Sequence, residues 1–363
     1  MDPAETHALL DRAGLSPPET LTIALTPACN LACVHCWVEA EDSRARGAVP
    51  AAIIRGILRD FVALGGCAVR LTGGEPLLHP DWRELLRYVV ELGLGRLILQ
   101  TNGILFKPAD LLFLRNLDIS QVQIQISLDG ATAAAHDLVR GKGAYALTLK
   151  GLERLAAAGL ASKVALFFTE MRHNLHELPD LFRLAERLGV GAVSSGCLVS
   201  CGRAGKNAPV SPPEPEQYLP LLRHFAEDSR FQQLYARLGQ VAALDWSHCD
   251  ADQPGCSFVK NPYLTATGIL YPCLMCHAPD YAVTEVFAKG LHAAVREGVP
   301  RWSELQLLSR TRATSLSECQ DCALRQSCAG GCMGRAWGSF GAFLVAEDRC
   351  GQRRLVLSGQ KKS

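Results

Sequence analysis

Six times in its first two hundred residues this chain follows a short apolar run with a helical one, and that rhythm limits the possible folds most. LTIALT (21–26), CAVRLT (67–72), RLILQT (96–101), VQIQISL (122–128), KVALFFT (163–169) and GAVSSG (191–196) read as strands. Helical patterns separate them. In PAAIIRGILRDFVALG, Ile53, Ile54, Ile57, Leu58, Phe61 and Val62 recur at helical spacing, with Pro50 suited to the first turn and Gly65 to the stop. Further helices are expected from about Asp81 and Pro108, through YALTLKGLERLAAAG, and through LHELPDLFRLAERLG. Strands joined by helical crossovers run parallel, with the helices outside. Six units fall short of the eight that close a barrel. The predicted fold is α/β, a partial (β/α)6 TIM-like barrel.

The barrel spans 21–205, behind a 1–20 extension. KNAPVSPPEPEQ (206–217) reads as a Pro-rich linker, and a helical stretch carries the segment to 247. Within 248–352 cysteines become dense and Gly and Pro break up any long periodicity, so a second domain is expected there, then a tail at 353–363.

The 363 residues carry a net charge of +1, so no global field favours nucleic acid or an anionic membrane. No apolar run approaches a membrane span, and MDPAETHALLDRAG lacks a signal-peptide pattern, so a cytoplasmic protein is expected. Thiols stay reduced in that compartment, so the fifteen cysteines point to metal rather than disulfides.

ACNLACVHCW (28–37) places Cys29, Cys33 and Cys36 just after the first strand. Structural zinc wants four protein ligands, and a cubane [4Fe–4S] cluster is normally held by four thiolates. Three leave one position open for something that is not protein. LTGGEP (71–76), QTNG and SLDG follow the next three strands, at the end where such barrels carry their chemistry. Each could be an ordinary turn; all four converge on one mouth.

CxxxCxxC followed by an aromatic residue, Trp37, and then GGEP after the next strand, resembles the radical S-adenosylmethionine (SAM) superfamily over roughly 20–205. The resemblance implies that Cys29, Cys33 and Cys36 hold a [4Fe–4S] cluster whose open iron is chelated by SAM. An electron from the cluster would split SAM to methionine and a 5′-deoxyadenosyl radical, which takes hydrogen from substrate. It further implies that Gly73, Gly74 and Glu75 meet the SAM amino group, that Ser127 and Asp129 lie at its ribose or carboxylate, and that Arg140 approaches the carboxylate. Trp37, Thr101, Asn102 and Leu198 would line the same mouth. A surface ion pair is the alternative for Arg140, and a core position for Leu198.

C-x11-G-x4-C at Cys256, Gly268 and Cys273, then C-x2-C-x5-C-x3-C at Cys319, Cys322, Cys328 and Cys332, and a lone Cys350, resemble the SPASM accessory domain. That implies a Cys-rich α+β module with two auxiliary [4Fe–4S] clusters and three clusters in all. Cys256, Cys273 and Cys332 would hold the first, with Cys249 as fourth ligand. Cys319, Cys322, Cys328 and Cys350 would hold the second. A structural zinc site is the alternative. Cys67, Cys197, Cys201 and Cys276 are left over. Cys67 reads as a buried small hydrophobe. Cys197, Cys201 and Cys276 are candidate hydrogen donors to a substrate radical, or simply packed residues.

Sulfatase-maturing relatives carry Asp where this chain has Leu274. Too few residues precede the first strand for a domain that grips a leader peptide, so a separate recognition protein could be needed. The expected function is a radical SAM/SPASM oxidoreductase acting on a peptide or small protein, with a flavodoxin- or ferredoxin-type electron donor. The alternative is a dehydrogenase or epimerase of a small molecule: a sugar, an aminoglycoside, or a tetrapyrrole or other cofactor precursor.

Overall fold

The computed structural model describes residues 3–38, 40, 47–118, 120–205, 209–245 and 255–360. Among these residues nine strands run in chain order: β1 (Thr20–Ala24), β2 (Ala68–Thr72), β3 (Arg96–Thr101), β4 (Val122–Ser127), β5 (Val164–Glu170), β6 (Ala192–Cys197), β7 (Gly239–Gln240), β8 (Tyr263–Leu264) and β9 (Leu270–Tyr271). All six strands expected from the apolar runs are present. The longer helices are α1 (Pro3–Arg12), α2 (Ala51–Ala63), α3 (Trp82–Glu91), α4 (Pro108–Asn116), α5 (Ala133–Arg140), α6 (Ala144–Ala157), α7 (Leu178–Leu188), α8 (Tyr218–Glu227), α9 (Ser229–Leu238), α10 (Leu291–Thr311), α11 (Met333–Phe340) and α12 (Cys350–Gln360). The fold is α/β, its strands largely parallel and its sheet open rather than closed.

The chain divides into two compact units, 1–28 with 43–98 and 249–350, and 29–42 with 99–248 and 351–363. In the first, β2, β1, β8 and β9 lie side by side; β1 is parallel to β2 and β8, and β8 antiparallel to β9. α2 buries Ile54, Ile57, Leu58 and Phe61, the predicted stripe. Gly65 turns the chain at φ +80°, a conformation glycine adopts without strain. α1, not foreseen in the sequence, packs against α10 with Leu10 fully buried.

α10 corrects the expectation that Gly and Pro interrupt all long periodicity after residue 248: it is 21 residues long with Pro300 inside it. Leu291, Ala294, Val295, Val299, Trp302 and Leu305 form one buried stripe through the proline, and the Trp302 indole donates to Tyr281 O at 2.8 Å. Burial of that stripe outweighs a proline cost of about 3 kcal/mol. A second correction concerns Cys67, which is exposed, its thiol 3.5 Å from Glu19 O.

In the second unit β4, β5, β6 and β7 form a parallel ribbon. α5, also unforeseen, starts at Thr132, whose hydroxyl accepts the Ala135 N–H, and ends at Arg140. Described parts of the Pro-rich segment are tied down: Ser211 O accepts from Arg172 N–H at 2.9 Å, and Pro213 O from the Gln352 side chain.

Candidate functional site

Within the second unit, the loop carrying Cys29, Cys33 and Cys36 contains no helix or strand, and later segments hold it. Arg203 donates Nε to Cys33 O at 2.8 Å, Nη1 to Ala40 O at 2.6 Å and its backbone N–H to Cys36 O at 2.9 Å. Gly202 sits where a Cβ would lie 2.5 Å from Cys36 O, at φ +58°, so glycine is required. The Asn102 side-chain amide donates to Asn30 Oδ1 at 2.8 Å, and Val34 N–H to Val139 O at 2.9 Å.

Arg140, at the end of α5, is buried rather than on the surface. Its Nη1 is 3.9 Å from the Cys33 sulfur, its Nε donates to Asp129 Oδ2 at 2.6 Å, and its Nη2 is 3.5 Å from His35 Nε2. Asp129 is wholly buried, its Oδ1 accepts the Thr169 N–H at 2.9 Å, and its Oδ2 lies 3.4 Å from His35 Nε2. Burial alone would raise the Asp129 pKa; Arg140, then His35 and His136, hold it far below the usual carboxylate range. Burial pushes the Cys33 thiol up, opposed chiefly by Arg140. Burial lowers His35 to about 4, with Asp129 opposing, and lowers His136 to about 4, with Arg140 adding. His136 Nδ1 accepts the Asp129 N–H at 3.1 Å, which requires the neutral ring.

The other expected residues of this unit fall as follows. Ser127 ends β4 and is buried. Thr101 is buried and accepts the Gly103 N–H. Trp37 is half-buried, its carbonyl against Gly202. Leu198 is 2% exposed in an apolar cluster with Val139, Met171 and Val210, flanked by Val34 and Ala204. Cys201 is half-buried, and the Cys197 sulfur lies 3.5 Å from Glu170 Oε2. Glu170 is wholly buried at the end of β5 and accepts from Ser195 Oγ at 2.5 Å and Tyr218 OH at 2.9 Å. Sequence reasoning missed Glu170, Arg203 and His35. His35 alone had a signal, its place inside CVHC; Glu170, the last residue of β5, and Arg203, in a 3-10 turn, belong to no motif.

Within the first unit, Gly73, Gly74 and Glu75 clamp the strand end that leads toward Cys29. Gly74 N–H donates to Thr26 O at 2.7 Å and Glu75 N–H to Ala28 O at 2.8 Å. A Cβ on Gly74 would lie 2.2 Å from Ala28 O, and one on Gly73 2.6 Å from Thr26 O. Glu75 is buried, its Oε1 accepting the Leu77 N–H at 3.2 Å. The glycines are therefore required by backbone-on-backbone packing, whatever else they approach.

The remaining cysteines of this unit fall into two neighbourhoods. Burial pushes Cys256, Cys273 and Cys276 up to about 12, and Cys332 charge acts on all three. Cys319 is raised by burial, then by Cys350 and Cys322. Cys328 is half-buried, and Cys249 lies outside the described residues. Arg312, 1% exposed, lowers the pKa of both Cys256 and Cys319, and its guanidinium donates to Phe343 O, Val345 O and Gly331 O at 2.7, 3.0 and 2.9 Å. One buried cation thus touches both neighbourhoods electrostatically.

The donor sets fit iron–sulfur clusters. They are sulfur throughout, the preference of soft metal centres, and each has a buried guanidinium within electrostatic reach to offset thiolate charge. Among the described residues no three His, Cys, Asp or Glu side chains converge as they would on a single ion; a cubane carries each thiolate on a different iron.

Comparison with known proteins agrees with this chemistry. The family model described as the radical SAM superfamily matches residues 23–185. The chain is 32% identical to the mycofactocin maturase MftC of Mycobacterium ulcerans, over 88% of this chain and 84% of that protein. It is 29% identical to the AdoMet-dependent heme synthase of Methanosarcina barkeri, over 92% and 96%. Streptococcus suis SuiB bound to S-adenosylmethionine shares the fold with a TM-score of 0.72 at 18% identity, over 96% of this chain and 81% of that one, and SuiB bound to precursor peptide SuiA also scores 0.72.

Proposed function

This chain belongs to the radical SAM superfamily, and we propose from that premise that it carries out oxidative modification of a peptide or small protein, with a SPASM module holding two auxiliary clusters. The observation that carries the enzymatic reading is the clamped cysteine loop, three thiols with Arg140 and Arg203 acting on Cys33. The peptide reading is supported by the similarity to a maturase over most of both chains.

When bound, the cluster supplies the electron that splits SAM, and SAM supplies the group that takes hydrogen from substrate. Cys29, Cys33 and Cys36 would hold the cluster. Arg203, Asn102 and Val34 fix the loop so that the three sulfurs keep their spacing. Asp129 holds Arg140 rigid against Cys33, so a cation stands ready near a SAM carboxylate. Asp129 acts as a positioning residue, its oxygens being engaged by Arg140, Thr169 and His35. Gly74 and Glu75 hold the backbone of Thr26 and Ala28, and the family resemblance implies that the Gly73–Glu75 segment would meet the SAM amino group. Oxidation requires the substrate radical to lose a further electron, which an auxiliary cluster would accept; Cys197, beside the Glu170 carboxylate, or Cys201 would give hydrogen only in the alternative, redox-neutral inversion of a centre.

A second reading, a tetrapyrrole substrate, is favoured by the match to a heme synthase over nearly its whole length. Anaerobic incubation of the reduced protein with SAM and either substrate class separates them. We expect 5′-deoxyadenosine with both enzymatic readings and a mass change in the peptide; a mass change in the tetrapyrrole alone overturns the peptide reading. Absence of 5′-deoxyadenosine with either overturns both.

A further inference from the structure

We propose that Arg70, on the inner face of β2, anchors a carboxylate of the substrate, either an acidic side chain or the C-terminus of a peptide. The proposal rests on the peptide reading given above and adds to it a charge that the substrate must carry.

The placement of Arg70 is the first support. β1 pairs with β2 as Leu21 with Val69, Thr22 with Arg70, Ile23 with Leu71 and Ala24 with Thr72; β8 continues the rows with Tyr263 beside Thr22 and Leu264 beside Ile23. Paired residues of parallel strands share a face, and the faces alternate along each strand. One face therefore carries Leu21, Ile23, Val69, Leu71 and Leu264, all wholly buried. That apolar face suits the buried stripes of α2 and α3. The other carries Thr22, Arg70, Thr72 and Tyr263. In a barrel with its helices outside, this second face is the concave one.

The second support is that the cation lacks a counter-ion. Arg70 Nε is buried with no hydrogen-bond partner among the described residues. Burial lowers the Arg70 pKa and the Arg96 cation lowers it further, while no carboxylate among the described residues acts to raise it. Arg335, buried in the same unit, shows the contrast: its Nε and Nη2 donate to the two oxygens of Asp348 at 2.8 and 2.7 Å. A desolvated cation without an anion is unfavourable, and the guanidinium fork matches the two oxygens of a carboxylate. Arg70 is half-buried rather than sealed, so an incoming group can reach it.

Depth along the strand is the third. Arg70 lies three residues before Gly73, about 10 Å along an extended strand. The Gly73–Glu75 segment is the one that the family resemblance assigns to SAM. A carboxylate held at Arg70 leaves the rest of the peptide free to extend toward that segment. Arg70 is thus a positioning residue, set back from the reacting atoms.

The test uses the full chain, reconstituted anaerobically with iron and sulfide, as wild type, Arg70→Gln and Arg70→Lys. The probes are pools of random synthetic peptides with acetylated N-termini, with or without acidic residues, each with a free or an amidated C-terminus. Affinity selection in the presence of SAM, read by mass spectrometry, gives the retention of each pool. Wild type should retain a carboxylate-bearing pool about tenfold or more over the pool that has no carboxylate. Which pool is retained tells whether a side chain or the C-terminus supplies the group. Arg70→Gln should abolish the preference at unchanged iron content, and Arg70→Lys, a charge without the fork, should keep a reduced one. The Tm of Arg70→Gln should rise, because an unpaired, desolvated charge is gone. Equal retention of all pools by wild type, or a preference that survives Arg70→Gln, overturns the anchor and leaves the peptide reading standing. A lower Tm or lost iron in Arg70→Gln assigns the residue to the fold and also overturns it. Retention of no pool by wild type overturns the peptide reading, and the anchor with it.

Discussion

The thiols of the two units share short-range amide donors, Leu31 N–H and Ala40 N–H reaching the Cys29 and Cys36 sulfurs at 3.4 Å as Met275 N–H reaches Cys273, but differ in what else holds their segments. In the second unit three cysteines sit on an irregular loop, held by side chains from elsewhere: Arg203, Asn102 and, through Cys33, Arg140. In the first unit Cys273 and Cys276 share one backbone turn, while the side chains of Ser309 and Gln306 hold the backbone of Cys256. A guanidinium opposes burial in both: Arg140 at Cys33, and Arg312 at Cys256 and Cys319. The difference teaches that the Cys29–Cys36 loop, without a helix or strand of its own among the described residues, takes its shape from side chains 72 to 170 residues away.

Three changes would break or sharpen that contrast. Asp129→Asn should have the largest effect. It leaves Arg140 buried without its carboxylate, and breaking a buried pair costs about 3–5 kcal/mol. Thermal melts should show the loss, and about four of about twelve irons should go while those of the first unit remain. Uniform loss from both units would show that the two sites are not separable. Gly74→Val comes next. The Ala28 carbonyl 2.2 Å from its Cβ must move, an overpacking cost of about 1–3 kcal/mol. Because residues 26–28 lead into Cys29, both SAM affinity and the iron of that loop should fall; a variant with full iron and weakened SAM binding would show that the loop serves only the cosubstrate. The smallest effect is acid sensitivity through His136. Its pKa falls from 6.5 in the unfolded chain to about 4 in the fold, so the stability it contributes is present above 6.5 and lost as pH falls toward 4. The loss is about 1 kcal/mol per pH unit in that window. His136→Asn, which keeps an acceptor for the Asp129 N–H, should flatten the dependence of Tm on pH there. An unchanged slope would mean that His136 is already compensated.

Much of this was readable from the chain. The six strands stand where alternating apolar runs predict them, since strand period and β-branched content are local properties. α1, α5 and α10 were not. α5 is too short and too weakly apolar for periodicity to mark, yet it delivers Arg140. The stripe of α10 runs through Pro300, so a rule about breakers hid a helix that burial sustains. Glu170, with Ser195, Cys197 and Tyr218 around it, has no motif, because its partners are 25, 27 and 48 residues away.

By itself the sequence determined the chemistry. Cysteine spacing and the GGEP segment, read beside the βα rhythm, name the family and the thiols of the exchanging site, because covalent spacing along one loop survives any fold. Tertiary structure alone decided what surrounds those thiols. Arg203 and Arg140 are 167 and 104 residues beyond Cys36 by simple subtraction of positions, and only folding brings them to one loop. The same holds for Glu170: only folding surrounds it with Ser195, Cys197 and Tyr218. Charge and proximity across long loops depend on three-dimensional closure, which no local pattern encodes.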